Sequence, residues 1–73
     1  MASIVKVIEV IAESNEGWEQ AAQSALDHAS RTIRNIKSIY VENFQGVVEN
    51  NRITQYRLNA KISFVIEEGE HAG

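Results

Sequence analysis

The stretch TQYRLNAKISFVI, Thr54–Ile66, alternates almost without error. Tyr56, Leu58, Ala60, Ile62, Phe64 and Ile66 fall on one side, and Gln55, Arg57, Asn59, Lys61 and Ser63 on the other. A period of two is the signature of a β-strand with one face turned to a core. With its flanks, Arg52 to Glu67, the strand spans about 50 Å at the usual rise per residue. A ribbon this long needs neighbouring strands and cover, and the second, polar row needs something to face.

The rest of the chain supplies partners in the order β-α-β-β. SIVKVIEVIAES predicts a first strand over about Ile4 to Ala12. It is apolar on both sides: Val5, Val7 and Ile11 share a face with Glu9, and Ile4, Ile8 and Val10 share one with Lys6. Such a strand is partly covered on both sides. The period then changes. Trp18, Ala21, Ala22, Ala25, Leu26, Ala29, Ile33 and Ile36 make one helical stripe, mostly alanine, which lets a helix lie close on a sheet. Ser14 or Asn15 is placed to cap it, and Glu16 and Glu19 suit its first turn. A helix of this extent reaches about 30 Å. SIYVENFQGVV predicts a second strand over Ser38 to Val48, and Glu49 to Asn51 a hairpin turn, since Asn tolerates positive φ. The expected fold class is α+β, a three-stranded antiparallel sheet wrapped on one helix. One domain covers residues 1–73, with a core over about 4–67 and a flexible tail over 68–73.

A helix of 30 Å cannot cover this sheet, and it covers one face only. A chain of 73 residues is also marginal as an independent fold. There is no cysteine, so disulfides and thiolate zinc sites are excluded. Both facts point to copies of the chain covering one another. Net charge is −3, from ten acids and seven bases. Arg31, Arg34 and Lys37 form the nearest thing to a basic group, too little for a nucleic-acid footprint. No apolar run is long enough to span a membrane, and the start has no signal-peptide pattern. A cytoplasmic location is expected.

Catalytic signals are absent from the pattern. His28 reads as a solvated helix residue and His71 lies in the tail, so no nucleophile–base pair can be drawn and no enzyme is expected. The four glycines make no phosphate-binding motif. Gly46 inside a strand implies a bulge or, alternatively, the close approach of a flat ligand. Trp18 reads as core, with an interface as the alternative. The acids Glu9, Glu13, Glu42, Glu49, Glu67 and Glu68 match no calcium loop.

The strings VKVIEVIAES, GWEQAAQSALDHA, SRTIRNIKSIYVENFQG and QYRLNAKISFVIEE, in this order and spacing, resemble the dodecin family over about Val5 to Glu68. The resemblance implies a hollow shell of twelve identical chains that stores or sequesters a flavin, FMN or riboflavin, without turnover. It also implies that the binding slot is built around three positions, here Ser38, Gln45 and Arg57, and Gln55, on the same side of its strand as Arg57, is a further candidate contact. Flavin-binding members carry Trp where this chain has Ser38, Arg where it has Gln45, and Gln where it has Arg57. Losing the ring at position 38 removes about 0.5–1.5 kcal/mol of stacking per ring beyond buried area. Dodecin-like chains without that Trp are similar to this one and are described as calcium-binding. Calcium is therefore the alternative ligand, held by carboxylates from several chains and by no residue that can be named from the sequence.

Overall fold

The structure is a computed structural model and describes residues 3–66. The expected flexible tail over 68–73, with His71, lies outside them. Four elements follow one another: β1 (Ile4–Ser14), α1 (Trp18–Ala29), β2 (Ile36–Glu49) and β3 (Arg52–Ile66). The strands form one antiparallel sheet in the order β1-β3-β2. The alternating strand is thus the central one, and β1 and β2 are both edges. The expected α+β, β-α-β-β fold is what the chain adopts.

One face of the sheet carries Val10–Ala60–Val41 and Ala12–Leu58–Phe44 across its strands. The helix lies on this face. Ala21 and Ala29 are buried against it, and Ala22, Ala25 and Trp18 pack beside them. Alanine on both sides lets the layers approach closely. It also makes a small core: Leu58 and Ile62 are its largest fully buried side chains. Meanwhile Val5, Val7, Ile11, Tyr40, Phe44 and Val48 are each more than half exposed. The radius of gyration is 15.6 Å, with extents of 59 × 20 × 13 Å. A compact domain of this length has about 11 Å. The difference is the β2–β3 hairpin, which runs past the helix.

Three local expectations need correction. The helix ends at Ala29, well short of Ile36, and its 12 residues span about 18 Å. The chain tightens after it: Ser30 donates its hydroxyl to the Asp27 carbonyl at 2.8 Å, and Thr32 N–H bonds to the Ala29 carbonyl at 3.2 Å. Asn35, at φ 61°, then turns the backbone into β2, which Ile36 opens. Ile33 and Ile36 fit the helical period because both remain on the apolar side. The helix start also differs. Gly17 holds the cap position with no side-chain bond, and Ser14 accepts from Glu16 N–H one step earlier, at 2.9 Å. Glu16 therefore precedes the first turn and Glu19 lies in it. Lastly, Gly46 is not a bulge residue. It pairs with Tyr56, and a side chain there would meet Ile53 at 3.4 Å. The register shifts lie between Ile36 and Ser38, Val41 and Asn43, and Val47 and Val48.

The hairpin turn agrees with the sequence. Asn50 and Asn51 have φ of 54° and 63°, the two successive left-handed residues of a two-residue turn. Asn51→Ala keeps the Cβ but removes the short polar side chain that makes this region tolerable for asparagine, and should lower stability by about 1 kcal/mol, whereas Asn51→Gly should leave it unchanged or raise it. Urea midpoints of the two variants check this, and equal losses for both would refute it.

Candidate functional site

The face away from the helix is open. Its side chains form rows across the strands: Val7–Ser63–Ser38, Glu9–Lys61–Tyr40, Ile11–Asn59–Asn43 and Glu13–Arg57–Gln45. The polar residues of β3 occupy the middle of each row, as the alternation predicts. Beyond the last row Gln55 stands opposite Val47.

The four candidate binding residues do not meet within one chain. Gln45 and Arg57 are direct cross-strand partners, with Gln55 on the same side two residues away. Ser38 is three rows off, about 23 Å along β2. There its hydroxyl lies 2.5 Å from that of Ser63, and either group can donate. Ser38 and Gln45 are exposed, while Gln55 and Arg57 are half-buried.

Arg57 is already engaged. Its Nε and Nη2 donate to Glu13 Oε2 at 2.6 and 2.5 Å. Both side chains keep more than a third of their surface in solvent, which limits such a pair to about 1 kcal/mol and leaves it sensitive to salt. An anionic ligand at Arg57 must compete with this carboxylate. On the opposite face the same row is braced by the helix. Trp18 donates its indole N–H to the Arg57 carbonyl at 3.2 Å and to the Gln45 carbonyl at 3.3 Å. Its ring meets Tyr56 and Phe44 edge-on, with centroids 4.8 and 5.8 Å away. Trp18 is core, as its place in the stripe suggests, and it also fixes the backbone that presents Gln45 and Arg57.

A second ion pair joins Lys61 to Glu42 at 3.2 Å. Glu42 is the extra residue of the shift between Val41 and Asn43, which brings it to the open face. The Glu42 hydrogen bond, then the charges of Glu42 and Glu9, raise the Lys61 pKa above its ordinary value. A raised pKa stabilises the fold fully below the ordinary lysine value. That contribution is lost as pH rises through the higher, folded-state value. Stability should therefore fall more steeply in that alkaline window in the parent than in Glu42→Gln, as melting temperatures across it will show. Parallel curves would refute the coupling.

Sequence reasoning missed Glu13 as the partner of Arg57, the bracing N–H of Trp18, and Tyr40 on the open face. Glu13 continues the phase of Val5, Val7 and Ile11, so its face was readable; its partner depends on register. Among the described residues no three His, Asp or Glu side chains are grouped to hold a metal ion. None of their helices is long and apolar enough to cross a membrane.

Fold and face define an α+β chain whose single short helix leaves a long, patterned sheet surface open. The chain belongs to the dodecin family, whose model matches residues 4–67. It is 29% identical over 68 residues to the dodecin of Thermus thermophilus, covering 93% of this chain and 99% of that one. A crystal structure of a mutant of that dodecin superposes with a TM-score of 0.87 over 92% of this chain and 100% of the other, at 28% identity. The chain is also 35% identical over 63 residues to the calcium dodecin of Mycobacterium tuberculosis, covering 85% of this chain and 87% of that one. The crystal structure of that calcium-chelating protein gives a TM-score of 0.76 over 85% and 89% of the two chains, at 32% identity.

Proposed function

We propose that this chain assembles with copies of itself into a twelve-membered shell and holds a flat flavin-type ligand, FMN or riboflavin, without chemical turnover. Ser38, Gln45, Gln55 and Arg57 line the slots. One observation carries the reading: the four positions lie on one open face, yet two separate groups of them stand about 23 Å apart. A ligand that uses both groups has to be enclosed by more than one copy. The exposed apolar side chains on both faces supply the drive for that closure, since burying such surface is worth about 25 cal/mol per Å². Binding a quenched flavin needs geometry and hydrogen bonds, and no general base. With Ser38 in place of an aromatic ring, the site is weaker than one that stacks through that position.

The test combines light-scattering mass with fluorescence titration of FMN and riboflavin. A mass near twelve chains and quenching that saturates support the reading. A monomer at micromolar concentration removes the shell, and unquenched flavin removes the ligand.

A second reading replaces flavin with calcium, and the 35% identity to a protein named calcium dodecin favours it. In this reading carboxylates from several copies surround the ion, because no group of three forms within the described residues. Calcium should then raise the melting temperature by mass action. No shift at millimolar calcium removes this alternative.

A further inference from the structure

We infer that Tyr40 takes over the stacking role and that the ligand's ring lies against it, over the Ser38–Ser63 pair. The inference rests on the flavin-type reading above. Tyr40 stands on the same face as Ser38 and one row further along, about 7 Å away. It is 63% exposed, and among the described residues the aromatic pairs are those of Trp18 with Phe44 and Tyr56. Among the described residues no aromatic ring packs on it, and its exposure leaves room for a stacked partner.

The rows around it differ in height. Val7, Ser63 and Ser38 are short, whereas Glu9, Lys61 and Tyr40 in the next row are long. The change makes a step on the open face, with an aromatic ring as riser and two bridged hydroxyls as tread. A flat conjugated heterocycle fits such a step: its plane stacks on the ring and its polar edge reaches the hydroxyls. The partner in this row, Lys61, is held protonated by Glu42 and places a cation beside the step. Glu42 pairs with this cation and Glu9 stands across the strand from it, so an anionic ring or a phosphate at the step must compete with carboxylates, as at Arg57, and a neutral ring stacks there without that competition.

The test is titration of FMN and riboflavin, with light-scattering mass in parallel, on the parent protein, Tyr40→Phe, Tyr40→Ala, Ser38→Trp and the double variant Tyr40→Ala with Ser38→Trp. Tyr40→Phe should bind as the parent does. Tyr40→Ala should keep the parent mass and bind at least about tenfold more weakly. Adding Ser38→Trp to it should restore binding by returning a ring to the adjacent row. Unchanged binding in Tyr40→Ala overturns the inference and leaves the flavin reading standing. A loss of mass in Tyr40→Ala also overturns it, by showing that Tyr40 packs between copies. Binding by Ser38→Trp but not by the parent overturns the Tyr40 role while keeping the slot. Binding by neither ends the flavin reading, and this inference with it.

Discussion

Leu58→Ala should lower stability by about 2–5 kcal/mol, the largest effect of any single truncation in the sheet. Leu58 is 1% exposed and sits in the row Ala12–Leu58–Phe44, at the centre of β3. Its neighbours under the helix are mostly alanines, which have no side-chain length with which to fill the vacated space. The cavity term therefore remains almost whole. Small domains have total stabilities of about 5–15 kcal/mol, so this one change removes much of the margin. At fixed protein concentration, thermal midpoints should fall by about 10 °C or more. A drop of only a degree or two would mean that copies of the chain, and not this core, carry the stability.

Trp18→Phe should separate packing from hydrogen bonding. Phenylalanine keeps an edge against Tyr56 and Phe44 but deletes the N–H that serves the carbonyls of Gln45 and Arg57. Leaving such groups short of a partner costs about 1–3 kcal/mol. Trp18→Ala also loses the ring, and about 3–5 kcal/mol in total. The ligand readout should follow the backbone: in Trp18→Phe the Gln45–Arg57 row loses its brace, so any binding through these residues weakens although neither was changed. Equal melting temperatures for Trp18→Phe and the parent would show that the indole N–H is not needed to hold the row.

Much of this molecule is written in local pattern. The alternation of Thr54–Ile66 states which residues of β3 are covered, and Leu58, Ala60 and Ile62 are the ones that become fully buried. The Asn50–Asn51 pair states the turn. The helix end is not readable in the same way, because Ile33 and Ile36 keep the helical period after the helix has stopped. What marks the exit, a serine hydroxyl on a carbonyl at the helix end and, further on, a left-handed asparagine that opens β2, leaves hydropathy unchanged. The site was half legible. Alternation assigns Gln45, Gln55, Arg57 and Ser38 to faces, but partners follow from register. Glu13 meets Arg57 across 44 positions of sequence, and no local period records that pairing. Glu42 reaches Lys61 only because a shift in the ladder turns it over.

The strand order β1-β3-β2 leaves two rims of unpaired peptide groups, and the rims are not alike. The β1 side runs in unbroken register from Ile4 to Ser14, whereas the β2 side is interrupted three times. Two of the interruptions add a residue to β2 itself, Lys37 and Glu42, which bends the rim and puts backbone donors out of step with any straight strand laid beside it; the third adds Thr54 to β3. A strand from another molecule would therefore meet a receptive rim at β1 and an unreceptive one at β2. One rim of each kind guards a chain against the open-ended stacking that two smooth rims would allow.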